Sequence, residues 1–403
     1  MKKTLYLHIG TPKTGTSTIQ HFLKENAIRL MINGIYYPEF NLSQAWGGKD
    51  SIDGNFGWFT RVDLPIDRKI EKIVQCFEKS NKVLLSSENV WFEIKDKPEF
   101  LRLLNKHGIE VKVIVYLRKQ VDYLESQYRE CIRLILSSEP VELACNPESG
   151  ILGGVYGYLD YYSVLEDMAQ VIGRENIIVH PYERTQFVNN DIIEDFMSIF
   201  KVSLTSEWHM PSKQYNPSMN NNALWIKRYM NQSFKAQQNK LNSIFYDILL
   251  ADGTVKQGEK VKSLIPYNTR CEMMKQYWEC NKMVAERYLH RDNGILFVEN
   301  ISEESEEEFD GEKVLGTFVK VFTSSIIDIY SKMNDVEKKS IQLQQKTDIL
   351  QPQLDKIQQK IDILQRQLND KQIEIDTLLN SRSWRITAPL RWIMSLTRKM
   401  KEH

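Results

Sequence analysis

Residues 5–23 read LYLHIGTPKTGTSTIQHFL, and that order leaves little choice of local structure. Leu5, Leu7 and Ile9 alternate with Tyr6 and His8 as a strand does, whereas Ile19, Phe22, Leu23 and Ala27 recur at helical spacing behind Thr16, Ser17 and Thr18. Gly10 and Gly15 bracket the join. A strand that turns directly into a helix leaves the first N–H groups of that helix without internal partners, and they point into the turn with the positive end of the helix dipole. The turn is built to receive an anion.

Gly10 and Gly15 keep the spacing of a Walker A loop, G-x-x-x-x-G-K-[ST], but Thr16 stands where that motif needs Lys, and Lys13 lies inside the loop instead. A nucleotide triphosphatase, or a small-molecule kinase using ATP, is disfavoured on that ground. The run T-P-K-T-G-T-S-T (Thr11 to Thr18) resembles the 5′-phosphosulfate loop of sulfotransferases that use 3′-phosphoadenosine 5′-phosphosulfate (PAPS). The resemblance implies that Thr11, Lys13, Thr14, Gly15, Thr16, Ser17 and Thr18 hold the donor. Sulfuryl transfer, by analogy with phosphoryl transfer, builds charge on the leaving phosphate oxygen, and a loop lysine such as Lys13 can follow that charge. The alternative is an ordinary strand-to-helix turn.

A second strand–helix unit follows at VKVIVYLRKQVDYLESQYRECIRLIL, apolar from Val111 to Leu117 and then helical, with Val121, Leu124, Tyr128, Ile132 and Ile135 on one face. Arg118 closes the strand and Ser126 comes eight positions later. In the sulfotransferase family an Arg and a Ser at this separation hold the cofactor's 3′-phosphate, and Arg offers the bidentate fork that a phosphate matches. The competing reading pairs Arg118 with a surface carboxylate such as Glu125. A third match, Ile177–His180 leading into Pro181, Tyr182 and Glu183, resembles the family's Tyr-Glu after a strand. It implies that Tyr182 stacks near the adenine, with a rim tyrosine packing on the sheet as the alternative. Asn216-Pro217-Ser218 and the NNALWIKRYMN that follows also resemble bacterial members. The chain departs from the family in lacking the late Arg-x-x-Gly segment that completes the 3′-phosphate pocket in many cytosolic members.

Transfer to a hydroxyl needs a base for the acceptor proton. Glu88 in KVLLSSENVW lies just past the strand Val83–Ser86, at the strand end where ligands of open α/β sheets gather. A helix-start acid favoured by the dipole is the competing reading of Glu88. His8, His21, His107 and His180 are rivals, His180 first among them. No Cys, His and carboxylate cluster has metal-ligand spacing, so no metal is expected.

The whole reads as an α/β fold, a parallel sheet flanked by helices with strands near 4–9, 82–87, 111–118 and 177–181, followed by a C-terminal helical coiled coil. Residues 1–298 form the sulfotransferase-like domain. The Gly- and Trp-bearing segment 40–66 and the Gly-rich 150–157 are either acceptor-binding loops or plain connections. Residues 299–312 form an acidic linker. From Leu315 the period is seven: Leu315, Phe322, Ile329, Val336, Leu343, Leu350, Ile357, Leu364, Lys371 and Leu378 share one heptad position, and Val319, Ile326, Met333, Ser340, Thr347, Leu354, Ile361, Leu368 and Ile375 share the other. Sixteen of these nineteen are apolar, which makes 313–380 a coiled-coil seam and predicts a homo-oligomer. DILQPQL and DILQRQL repeat at two heptads, and Pro352 predicts a joint near Gln351. The basic tail 381–403, with Trp384 and Trp392 among aliphatics, is suited to an anionic membrane surface. It also resembles a terminal segment of bacterial enzymes that build surface polysaccharides.

Fifty-three Lys and Arg balance fifty-three Asp and Glu, which gives no electrostatic reason to expect nucleic acid. Five unpaired-looking cysteines and an N-terminus without a secretory pattern fit a cytoplasmic protein, and no apolar run approaches bilayer length. The function implied is transfer of a sulfuryl group from PAPS to a hydroxyl-bearing acceptor, a bacterial saccharide or glycolipid. The alternatives are the kinase and a non-catalytic coiled-coil scaffold.

Overall fold

The computed structural model describes residues 2–40, 54–60, 64–96, 99–148, 150–211, 219–233, 246–250, 261–303 and 311–399. Five strands, β1 (Lys3–His8), β2 (Ile35–Tyr36), β3 (Lys82–Ser86), β4 (Ile109–Leu117) and β5 (Ile177–Pro181), form one sheet in the order β2-β3-β1-β4-β5. Every neighbouring pair is parallel. A parallel sheet is covered on both faces, so its strands read as apolar runs, and β4 is buried without interruption from Val113 to Leu117. The four longer strands lie where those runs predict them. The two-residue β2 carries no such run and is not predicted.

Ten helices belong to the argument: α1 (Thr16–Glu25), α2 (Ala27–Ile32), α3 (Ile66–Cys76), α4 (Val90–Asp96), α5 (Glu99–Lys106), α6 (Gln120–Arg133), α7 (Val141–Ala144), α8 (Tyr161–Ile172), α9 (Ile192–Ser198) and α10 (Asn221–Ser233). On one face of the sheet Leu5, Leu7, Val83, Leu85, Val113 and Val115 pack against Ile73, Phe100, Leu104, Val164 and Met168. On the other, Leu84, Ile114 and Tyr116 meet Ile19, Phe22 and Leu23 of α1 and Ile193, Phe196 and Met197 of α9. Leu7 lies beside both Leu85 and Val113, the centre of the core, where each buried side chain contributes about 1.5–3 kcal/mol. A charge at Val113 would break this layer. A third cluster gathers Leu124, Tyr128 and Ile132 of α6 with Ala223 and Leu224 of α10.

The strand order fixes where a ligand can sit. From β1 the chain runs out to β2 at the edge and returns to β3, then crosses over β1 to reach β4 and β5. The direction of winding reverses between β1 and β4, and the crevice beyond their carboxyl ends opens there. The loop after β1 and Arg118 after β4 occupy its two sides.

The chain divides into two compact units, Met1–Thr323 and Ser324–His403. Helix Gly311–Asn380, 70 residues and roughly 105 Å long at ~1.5 Å per residue, runs without interruption through Pro352, where the sequence predicts a joint. The helix around Pro352 is exposed, so water can take the carbonyl that the proline leaves unpaired. Seam residues Leu343, Leu350, Ile357, Leu364 and Leu368 are all exposed. The helix also contains one stretch long and apolar enough, by length and composition, to cross a membrane, a length not expected from the sequence. Lys320 and Asp328 interrupt the apolar run 314–331, and Val321 within it is buried against the α6 cluster.

Candidate active site

Helix α1 begins at Thr16, and no side chain caps it. Its first N–H groups are directed into the loop 10–15. Gly15, the N-cap, has φ 74° in the left-handed region, and a Cβ there would press on Ile192 and the Tyr182 ring. Both observations require glycine. Thr11 and Thr14 shape the loop from within: Thr11 Oγ1 donates to the Tyr116 carbonyl at 2.9 Å and Thr14 Oγ1 to the Thr11 carbonyl at 2.6 Å. They are scaffold bonds, which leaves anion contacts to the amides. Ser17 and Thr18 lie half-buried on the first turn of α1. Thr16 Oγ1 is buried with no partner among the described residues.

Lys13 is the strained member. It holds φ 68°, unusual for a residue with a side chain, and two contacts keep it there. Arg118 Nη1 donates to its carbonyl at 3.0 Å, and its ammonium sits 2.7 Å from Glu130 Oε2. Arg133 holds the same carboxylate. Burial alone would push the Glu130 carboxyl up, but Arg133 and Lys13 more than reverse this and hold it at about 2. Glu130 and Arg133 were not legible as site residues from the sequence.

Arg118 itself is fixed from three directions. Its carbonyl accepts from the Tyr161 hydroxyl at 2.7 Å, its guanidinium reaches the Lys13 carbonyl, and Cζ lies 5.8 Å from the Tyr182 ring centroid. The structure thus brings Lys13, Gly15, Arg118 and Tyr182 into one contact set. Ser126 is half-buried on α6, one turn before Glu130. Asp122, a further turn back, lies in the combined field of Arg118, Lys119 and Arg270, which gathers three cations around the start of α6. Arg270, on helix Tyr267–Gln276, is a second residue the sequence did not single out.

Glu88 lies in the turn just before α4, its carbonyl accepting from Trp91 N, and is half-buried. Its carboxylate reaches the surroundings of Tyr123 on α6, whose hydroxyl pKa is raised first by burial and further by Glu88. His180 is engaged elsewhere: Nδ1 lies 2.8 Å from Asp195 Oδ2, which also accepts from the Tyr116 hydroxyl at 2.7 Å. That arrangement pins α9 to the sheet. His21 Nδ1 lies 2.8 Å from the Ser17 carbonyl. His8 is fully buried beneath the loop, with Nδ1 2.9 Å from Ser86 Oγ and Nε2 without a partner among the described residues. Burial lowers its pKa to about 3, so it is neutral.

The Tyr-Glu pair after β5 divides its work. Tyr182 faces the loop, whereas Glu183 is buried and forms an ion pair with Lys119 at 2.6 Å. Glu183 also accepts from Val298 N at 2.7 Å and tethers the chain near residue 298 to the end of β5. Of the segment 40–66, residues 41–53 and 61–63 lie outside the described residues, as do 216–218 of the Asn-Pro-Ser match. Asn55 is described: it donates to the carbonyls of Pro38 and Leu84 and accepts from Ser86 N, closing over the end of β3.

No family model matches the chain. An uncharacterized protein of Archaeoglobus fulgidus is 23% identical over 189 residues, 47% of this chain and 48% of that protein. The chain spans about half the length of the curated relative it matches. A sulfotransferase structure from Alicyclobacillus acidocaldarius aligns at a TM-score of 0.35 and 16% identity, covering 56% of this chain and 92% of that one.

Proposed function

We propose that this chain transfers a sulfuryl group from PAPS to a hydroxyl of a bacterial saccharide or glycolipid. One observation carries the reading: Arg118, from the end of β4, touches the backbone of the anion loop at Lys13, so a second cation stands beside the first anion cradle. A nucleotide with phosphate groups at both its 3′ and 5′ positions fits two adjacent cradles better than ATP does. The uncapped start of α1, the orphaned Thr16 hydroxyl and the glycine that leaves room beside Tyr182 fit the donor's 5′ end. Arg118, Ser126 and Arg270 near the start of α6 fit its 3′-phosphate.

In this reading the α1 amides and Lys13 stabilise charge on the departing phosphate oxygen, and Tyr182 packs against the base. Lys13 must exchange Glu130 for the donor. Glu88 accepts the acceptor's proton. Titration calorimetry with adenosine 3′,5′-bisphosphate and with ATP tests the nucleotide class; preference for ATP would favour the kinase. Sulfuryl transfer by wild type that persists in Lys13→Ala would remove the catalytic assignment.

We also propose that a second copy of the chain covers the heptad seam. Gln344, Gln351, Gln358 and Gln372 each donate to the Asp four residues on, at 3.0–3.1 Å, in register with the seven-residue repeat. This keeps one polar flank constant beside the exposed Leu and Ile row. Sedimentation velocity of the full chain should show an oligomer that Leu350→Asp with Leu364→Asp reduces to a monomer; equal masses would refute it.

A further inference from the structure

Beyond residue 380 the chain forms two more helices, Arg382–Ile386 and Ala388–Lys399. Ser381 caps the first, its hydroxyl accepting from Trp384 N. Arg391 joins them, donating to the Trp384 carbonyl at 2.6 Å and stacking its guanidinium 3.6 Å over the Trp384 ring. Along Ala388–Lys399, at ~100° per residue, Ile393 lies at the centre of an apolar side, Leu390 is beside it, and Trp392 and Met394 form its two margins. Arg391, Ser395 and Arg398, spaced four and three apart, fall on the opposite side.

The apolar side is uncovered: Leu390 is 64% exposed, Trp392 66% and Met394 72%. Its charge surroundings are one-signed. Residues 381–399 carry Arg382, Arg385, Arg391, Arg398 and Lys399 and no Asp or Glu, in a chain whose total charge is zero. Pairing two such helices would bring like charges together along both margins, whereas an anionic lipid surface meets every one of them with an opposite charge. Trp392 at the boundary and Trp384 beside it are the residue type that settles at the headgroup level.

We infer that the segment 381–399 lies flat in the interface of an anionic bilayer, Leu390, Ile393 and Met394 entering the acyl boundary and the arginines meeting lipid phosphates. The inference does not rest on the sulfuryl-transfer reading and survives its failure. It places the acceptor chemistry at a membrane surface if both hold.

The test uses the full chain and sedimentation with large vesicles of phosphatidylcholine alone or of phosphatidylcholine with phosphatidylglycerol. Binding to the mixed vesicles should exceed binding to the neutral ones by roughly ten-fold or more and weaken at high salt. Ile393→Glu with Met394→Glu, both on the exposed face, should abolish it without changing the protein's sedimentation mass. Arg385→Gln with Arg398→Gln keeps the apolar face and should weaken the preference for anionic lipid. Equal binding to both vesicle types, binding unchanged in both variants, or a loss of oligomer mass in the Ile393/Met394 variant would overturn the inference, the last by assigning the face to a second copy.

Discussion

His8 sits on β1 directly below the anion loop, and its burial makes a quantitative prediction. The ring is fully buried, one nitrogen meets Ser86 and the other has no partner among the described residues, so protonation would place an uncompensated charge in the core. Its pKa falls from the ordinary 6.5 to about 3. At about 1.4 kcal/mol for each pH unit, that displacement amounts to roughly 5 kcal/mol. The folded value lies below the unfolded one, so the unfolded chain binds the extra proton between pH 6.5 and 3. Stability from this source is therefore complete above pH 6.5 and is lost as pH falls towards 3. His8→Asn retains a polar atom for Ser86 and removes the titration. Urea unfolding of both proteins from pH 7.5 to 4.5 isolates the effect, because every other titratable group is common to the pair. Wild type should lose about 1.4 kcal/mol per unit relative to the variant below pH 6.5, or roughly 3 kcal/mol by pH 4.5. Parallel pH profiles would refute the argument that His8 is held neutral by burial.

Further outcomes follow from single contacts. Glu183→Ala strands the buried Lys119 ammonium and frees the chain near Val298, and should cost about 3–5 kcal/mol in denaturant unfolding, whereas Glu183→Gln, which keeps the backbone contacts, should cost less. Gly15→Ala forces a Cβ into Tyr182 and Ile192 at a left-handed position, so bisphosphate affinity measured by calorimetry should fall at least ten-fold, with a stability loss of about 1 kcal/mol or more. Glu130→Gln frees Lys13 from its carboxylate. It should tighten nucleotide binding while lowering stability by about 1 kcal/mol at neutral pH, a contribution present above the ordinary carboxyl value of 4.5 and lost as pH falls through about 2.

Much of this architecture is legible as pattern. The alternation at Leu5, Leu7 and Ile9, the unbroken run Val111–Leu117 and the helical spacing behind Thr16 locate β1, β4 and α1, because a doubly covered parallel sheet leaves no polar face to confuse the signal. Two-residue β2 is too short to carry a period. The loop announces an anion site through its glycines, yet Lys13 and its partner Glu130 are 117 positions apart, and no local rule pairs residues at that distance. Arg270 is hidden for the same reason: it reaches the start of α6 from a helix without a strong apolar face. Pro352 shows the converse error, a local rule overridden where an exposed helix can hand its unpaired carbonyl to water.

The central claim is that Arg118 and the loop around Lys13 form two neighbouring anion sites bridged by one nucleotide. Calorimetric titration of wild type and Arg118→Ala with adenosine 3′,5′-bisphosphate and adenosine 5′-monophosphate separates the two sites in one set of measurements. Wild type should favour the bisphosphate by roughly 10- to 100-fold, the worth of a charge-assisted contact, and Arg118→Ala should bind both nucleotides alike. Wild type that binds the two equally, or a variant that keeps the full preference for the 3′-phosphate, would contradict the account.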